Sequence, residues 1–299
     1  MWLSLAFISA FLLGCYDIFK KASLTNNAVI PVLFLNTLFC TLLFLPLFLI
    51  SRSGLSLLDG TVFYIPQVTA GAHLFILIKS MLVLSSWLFG YFATKHLPLT
   101  ITGPINATRP VMTLVGALLI FGERLNLYQW AGVSLTIVSV FLLSAAGKKE
   151  GINFRRDKWI LFIFLAAILG AASGLYDKYL MQRFSSTAVQ FWYNLYQCIM
   201  MLVILIVLWY PRRKKSTVFK WKWSILLVSL FLTIADFVYF YALTDPHAMI
   251  SIVSMIRRGS VLVSFAGGVM FFHEKNLKGK MLDLILIIIG MFFLYLGSK

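Results

Sequence analysis

Ten apolar runs of about 20 residues each, separated by short polar connections, constrain this chain more than any other feature of its sequence. A helix of that length spans the hydrocarbon core of a bilayer, which is about 30 Å thick. Apolar residues make up 61% of the chain and charged residues 12%, a composition far from that of soluble domains. The sequence therefore predicts an all-α integral membrane protein with ten transmembrane helices.

The predicted spans cover residues 2–19, 28–50, 73–95, 98–121, 125–146, 159–181, 187–210, 224–244, 247–272 and 279–297. Several connections are short enough to force antiparallel neighbours. A longer polar connection at 147–158 divides the chain almost in half. This division suggests two repeats, over residues 1–147 and 156–299.

Four sequence features recur in the same order in the two halves. They are the Gly-x-Tyr-Asp sequences at 14–17 and 174–177, the asparagines Asn36 and Asn194, the arginines Arg109 and Arg258, and the glutamates Glu123 and Glu274. Because five is an odd number of spans, two copies in one chain must enter the membrane from opposite sides. The sequence thus predicts two inverted five-helix repeats, a plan in which a transporter's substrate site lies between the repeats near the midplane.

Polar residues inside the spans are the candidates for a functional site, because an ionisable group costs roughly 2.5–3.5 kcal/mol at the centre of a membrane helix. The predicted substrate-binding residues are Tyr16, Asp17, Lys79, Asn106, Arg109, Tyr176, Asp177, Asp236 and Arg258. Two alternatives stay open. Asp17 lies one turn before Lys20 and could form a local ion pair at the interface. In the ninth span either Arg257 or Arg258 could face the site, and the repeat register favours Arg258.

The fourth and ninth spans carry the clearest pattern. Polar residues of the fourth span fall on one helical face beside two helix-breaking prolines: Thr102, Asn106, Arg109 and Thr113, with Pro104 and Pro110. The ninth span has a matching stripe, Ser251, Ser254 and Arg258, followed by Gly259. Helix-breaking residues at corresponding places in two halves indicate a transporter's binding site. The hairpin glutamates Glu123 and Glu274 would lie on opposite membrane faces, so we expect each to stabilise its own turn.

The sequence also disfavours other classes of protein. It has no P-loop pattern and no pair of histidines at metal-ligand spacing, so we expect no bound nucleotide, metal or other cofactor, and no enzymatic activity. The net charge of +16 resides in short clusters between spans, which is typical of membrane flanks and not of a nucleic-acid interface. The expected partners are therefore the lipid bilayer and a small-molecule metabolite.

The stretch from Gly122 to Gly132, GERLNLYQWAG, resembles the repeat ending of the EamA branch of the drug/metabolite transporter superfamily. The second copy, His273 to Lys280, keeps the glutamate and loses the Gln-Trp-x-Gly tail. The resemblance implies a duplicated five-helix unit with ten spans. It also implies transport of small metabolites, often by export.

These features lead to one leading hypothesis and one alternative. The first is a secondary transporter, an exporter of a small polar or charged metabolite that works by alternating access. The alternative is a non-transporting membrane subunit, for instance a partner of a lipid-linked sugar flippase. Either protein is expected to be a multi-pass protein of the cell (inner) membrane.

Membrane orientation receives two opposite predictions. Most of the 26 Lys and Arg residues lie in the connections after the first, third, fifth, seventh and ninth spans. The positive-inside rule places those connections in the cytoplasm and both termini outside. The family resemblance implies that both termini are inside.

Overall fold

The computed structural model describes residues 1–53, 56–96, 105, 109–146, 158–214, 217–260, 262–263, 266–267, 270 and 278–297. Ten α-helices of more than one turn are described within these ranges, one on each predicted span. They are α1 (Trp2–Leu24), α2 (Val29–Arg52), α3 (Ala70–His96), α4 (Arg109–Ile120), α5 (Leu127–Ala146), α6 (Lys158–Met181), α7 (Ser186–Ile204), α8 (Ser224–Leu243), α9 (Ile250–Arg258) and α10 (Lys278–Gly297).

Most of the described helices have the length and apolar character of membrane spans. Six of them, α1, α2, α3, α6, α7 with its extension, and α8, are long and apolar enough to cross a bilayer. Many large apolar side chains are exposed on their outer faces, such as Phe11, Leu49 and Ile168. Exposed apolar side chains on every side of a bundle are what lipid contact requires. The predicted all-helical membrane architecture is confirmed.

Two spans differ from the uninterrupted helices that the sequence suggests. The seventh continues beyond α7 as a π-helical turn, Leu205–Trp209, and a 3₁₀ turn, Tyr210–Arg212. The ninth is interrupted at Gly259, where the backbone turns before Ser260 becomes helical again. The Gly259 amide donates to the Ile256 carbonyl over 2.8 Å, which closes α9 with a tight turn. The helix break thus comes directly after the two arginines.

Most of the helix packing joins the first five helices to the last five, and the contacts come in matched pairs. Helix α1 packs on α8 as its counterpart α6 packs on α3. In the same way, the contact of α2 with α8 matches that of α7 with α3, and the contact of α4 with α6 matches that of α9 with α1. Three further cross-half pairs, α2 with α7, α4 with α9 and α5 with α10, join corresponding helices. These pairs map onto each other when the two halves are exchanged, whereas a smaller contact of α5 with α9 has no counterpart of similar extent among the described helices.

Small residues allow some of these helices to approach closely. A Cβ on Gly132 of α5 would lie 2.6 Å from the Gly290 carbonyl oxygen of α10. A Cβ on Gly290 would in turn lie 2.7 Å from the Thr136 hydroxyl of α5. Small residues at facing positions are the usual means of tight packing in membranes. Gly132, the last residue of the GERLNLYQWAG stretch, therefore serves the contact between the halves.

Candidate functional site

A buried ion pair between Lys79 of α3 and Asp177 of α6 lies inside the bundle. The Lys79 ammonium contacts the Oδ1 atom of Asp177, and the two residues are 2% and 5% exposed. The other carboxylate oxygen, Oδ2, accepts a hydrogen bond from the Tyr239 hydroxyl over 3.2 Å. A charge pair without water is costly unless its partners are well placed. Here each charge has more than one partner.

Aromatic rings provide the other partners of Lys79. Its Nζ atom lies 4.7 Å from the centre of the Tyr193 ring and 5.0 Å from that of Phe240. The negative face of an aromatic ring attracts a cation, most strongly where water is absent. Lys79 is therefore held by one carboxylate and two rings, and is not directed toward solvent.

A second ion pair extends this group of charges. Arg257 of α9 contacts Asp236 of α8 with an Nη2 to Oδ1 distance of 3.1 Å. Its guanidinium also lies over the Tyr239 ring at 3.9 Å. Because Tyr239 also bonds Asp177, the two ion pairs form one connected group. We call Lys79, Asp177, Asp236, Tyr239 and Arg257 the charged centre.

Two more arginines border the charged centre. Arg109 lies in the field of the Asp177 carboxylate and in the repulsive fields of Arg257 and Arg258. None of the described carboxylates forms an ion pair with Arg109. The two ion pairs of the charged centre balance each other, whereas Arg109 adds a positive charge that no described carboxylate pairs with. The region therefore favours a negatively charged group.

Arg109 occupies its place because Gly170 of α6 has no side chain. A Cβ on Gly170 would collide with the Arg109 guanidinium, whereas a Cβ on Gly174, one turn later, meets no atom within 4 Å. The small-residue spacing at Ala166, Gly170 and Gly174 thus accommodates an arginine at its central position.

We expect Gly170→Ala to displace the Arg109 guanidinium. The affinity for a substrate that binds Arg109 should then fall by tenfold or more. Because the displaced atoms are the far end of a flexible side chain, the melting temperature should change little. Gly174→Ala is the matched control. Thermal unfolding and uptake into proteoliposomes would check both variants, and equal uptake by the two would contradict the placement of Arg109 at the site.

The glutamate of the α4–α5 hairpin joins the two halves. The Glu123 carboxylate accepts hydrogen bonds from the backbone amides of Ile250 and Ser251, over 2.7 and 3.2 Å, and from the Ser251 hydroxyl. A carboxylate at a helix N-terminus satisfies amides that have no partner within the helix and complements the helix dipole. Glu123 therefore caps α9, and the expectation that it stabilises its own turn is wrong. Glu274 lies outside the described residues.

Other residues of the GERLNLYQWAG stretch also have structural roles in this hairpin. Gly122 has a positive φ of 61°, which glycine adopts without strain. Asn126 and Gln129 form a reciprocal cap, in which each side chain accepts a hydrogen bond from the other's backbone amide, over 2.9 and 3.0 Å. Both side chains also donate to the Gly297 carbonyl at the end of α10. The stretch thus attaches the first half to both α9 and α10.

The Gly-x-Tyr-Asp sequences of the two halves have different surroundings. Asp17 takes the local alternative, an ion pair with Lys20 at 2.6 Å in which both side chains are about one-third exposed. Tyr16 is buried beside α8, with Lys20 over its ring at 4.5 Å. Tyr176 donates to the Phe75 carbonyl over 3.3 Å. Only Asp177 of these four residues is part of the charged centre.

The structure also brings in residues that the sequence did not single out. Of the predicted site residues, Lys79, Arg109, Asp177, Asp236 and Arg258 gather at or beside the charged centre, and Asn106 lies outside the described residues. Arg257, the alternative to Arg258, pairs with Asp236. Tyr239 was missed, although it follows Asp236 by one turn on the same helix face. Tyr193 and Phe240 gave no signal, because aromatic residues are common in every span.

A metal site does not form from the described side chains. Among the ranges that the structure covers, no three His, Cys, Asp or Glu side chains come together as ligands. The chemistry that these groups support is ionic and hydrogen-bonded recognition.

Comparison with known proteins identifies the family of this chain. The model of the EamA-like transporter family matches the chain twice, over residues 1–145 and 157–296. A solved crystal structure resembles the chain with a TM-score of 0.73 at 15% identity, covering 98% of both chains. That likeness concerns the fold alone. A search of curated proteins finds no match.

Proposed function

Because the chain belongs to the EamA-like transporter family, we propose that it is a secondary transporter, an exporter, of a small charged metabolite. It works by alternating access between two inverted five-helix repeats, residues 1–147 and 156–299. The observation that carries this proposal is the charged centre, with Arg109 and Arg258 beside it. Buried ionisable groups inside a membrane bundle are expensive and mark a substrate or ion pathway.

The substrate is proposed to carry a carboxylate or another anionic group, as an amino acid or an organic acid does. Its anion would bind Arg109, which has no ion-pair partner among the described carboxylates, and Arg258. A guanidinium fork recognises a carboxylate through two parallel hydrogen bonds. The balanced charges of Lys79, Asp177, Asp236 and Arg257 would orient that fork and accommodate a positive group on a zwitterion.

The two ends of the site would open in turn. At one end the Glu123 cap joins the α4–α5 hairpin to α9, and Lys178 of α6 donates to the Ala248 carbonyl just before α9. Both contacts join parts of the chain that are distant in sequence, and both lie at the same end of the bundle. We propose that this end is closed by these contacts and opens when the Glu123 cap breaks.

Replacing a guanidinium by an ammonium group keeps the charge but removes the two parallel hydrogen bonds, so it tests the proposed role of the arginines. We expect Arg109→Lys and Arg258→Lys each to raise the KM for transport more than tenfold, since a hydrogen bond to a charged group contributes about 1.5–3 kcal/mol. Arg183→Lys, at an exposed site, is the matched control. Proteoliposome flux and thermal unfolding would be measured together. Parental KM in both well-folded variants would refute this role.

The orientation proposed from charge places both termini outside. Supporting it, the α1–α2 turn and the segment before α8 meet at one end of the bundle: Asn27 bonds the backbone of Lys220, and Lys222 donates to the Ala22 and Thr25 carbonyls over 2.8 Å. Trp221 and Trp223 are exposed beside these lysines, as in an interfacial aromatic belt.

A reporter fused after Lys299 tests this orientation. A periplasmic or extracellular reporter should be active and a cytoplasmic reporter inactive. The opposite result would favour the orientation implied by the family.

A further inference from the structure

Three buried amide side chains lie on one face of α7 and are not used by the charged centre. Gln190, Asn194 and Gln197 are spaced four and three residues apart, which places them on a single helical face. Their exposed fractions are 1%, 6% and 1%. Helix α7 packs against α2, α3 and α8, so this face lies within the bundle and not against lipid.

Each of these amides has a polar atom without a hydrogen-bond partner. Among the described residues, Gln190 Oε1, Asn194 Nδ2 and Gln197 Nε2 contact no donor or acceptor. The Gln190 Nε2 atom does donate, to the Thr233 carbonyl over 2.8 Å, which fixes that side chain. Buried polar groups in folded proteins almost always have partners, so three orphaned atoms on one face indicate a place for a polar occupant.

The amides adjoin the charged centre through Tyr193. The centre of the Tyr193 ring lies 4.7 Å from the Lys79 ammonium. Tyr193 is three residues after Gln190 and four before Gln197, so the three residues share one face of α7. A molecule bound beside the charged centre could therefore extend toward the amides without leaving the bundle.

We propose that Gln190, Asn194 and Gln197 form a neutral subsite that binds a hydroxyl or carboxamide group of the substrate. This proposal rests on the proposed transport function and specifies the neutral group that the substrate carries besides its charged group. Carboxamides donate and accept hydrogen bonds but carry no charge, so they match a neutral polar group. The substrate then has a charged end at Arg109 and a neutral hydrogen-bonding end at α7.

Asn194→Leu tests the subsite, because it removes the orphaned Nδ2 atom and keeps the number and branching of the side-chain heavy atoms. Because the Nδ2 atom of Asn194 has no partner among the described residues, its removal should cost little stability and the melting temperature should stay close to the parental value. Asn27→Leu is the matched control, because Asn27 is also buried but bonds Ser23, Ala28 and Lys220. We expect Asn27→Leu to lower the melting temperature by several degrees and to leave the KM unchanged.

The functional measurement uses a pooled cellular metabolite extract as the probe. Compounds taken up by proteoliposomes are identified by mass spectrometry, and we expect them to carry a hydroxyl or carboxamide besides the charged group. The KM for these compounds should rise at least tenfold in Asn194→Leu. An unchanged KM, or a melting temperature lowered as far as in Asn27→Leu, would overturn the subsite.

A thermal-shift measurement separates this proposal from that of transport. The same extract should raise the melting temperature of the parental protein and raise that of Asn194→Leu less. If the parental protein moves no compound, the transport proposal fails, whereas this difference would still support the subsite. Equal shifts in the two proteins would overturn it.

Discussion

The free energy of unfolding of Lys79→Met should be about 3–5 kcal/mol lower than that of the parental protein, because the substitution leaves the Asp177 carboxylate buried without its counter-charge. Asp177→Leu should be destabilised for the converse reason, since Lys79 would keep only the Tyr193 and Phe240 rings. The double variant Lys79→Met/Asp177→Leu removes both charges and should recover most of the lost stability. Thermal unfolding in detergent and the yield of folded protein would measure all three.

A second Lys–Asp pair among the described residues is a matched control. Asp17 and Lys20 form an ion pair that is about one-third exposed, and exposed pairs contribute about 0–1 kcal/mol. Asp17→Asn should therefore unfold at nearly the parental temperature. If Lys79→Met behaves like Asp17→Asn, the Lys79 and Asp177 pair is not buried as described.

Glu123→Gln should weaken the contact between the α4–α5 hairpin and α9 and reduce flux more than tenfold. The charged carboxylate accepts three hydrogen bonds at the start of α9, and bonds to a charged group contribute about 1.5–3 kcal/mol each. Loss of the charge should destabilise the closed end by at least about 2 kcal/mol. The equilibrium between the two transport states would then shift toward the state in which this end is open. Flux and thermal unfolding would be measured on the same preparations.

Arg124→Gln provides the comparison for Glu123→Gln. Arg124 is the next residue of the hairpin and is exposed, so its replacement should affect neither stability nor flux. Ser251→Ala, which removes one of the three donors, should have an intermediate effect. Equal behaviour of the two hairpin variants would contradict the role of Glu123 as a link between the halves.

Hydropathy was sufficient to predict the helices, because a membrane span must satisfy its backbone groups within the helix. The predicted eighth span, 224–244, differs from α8 by one residue. The interruption of the ninth span at Gly259 was visible as a glycine beside two arginines, but a glycine alone does not specify a turn. Local sequence therefore predicts the spans better than their irregularities.

The site was predicted less completely, because its contacts join distant parts of the chain. Lys79 and Asp177 are each recognisable as a costly charge, but their pairing depends on the packing of α3 on α6. The choice between Arg257 and Arg258 depends on the rotation of α9, which the repeat register does not fix. Glu123 appeared to belong to its own turn because its partners, Ile250 and Ser251, lie in the other half.

Flux through the purified chain alone tests the central claim most directly. Proteoliposomes would be loaded with a pooled metabolite extract, and release would be compared between the parental protein and the folded double variant Lys79→Met/Asp177→Leu. We expect the parental protein to release specific charged compounds and the double variant to release none. Equal release by both proteins, or no release by folded parental protein until a partner is added, would contradict it and favour a non-transporting subunit.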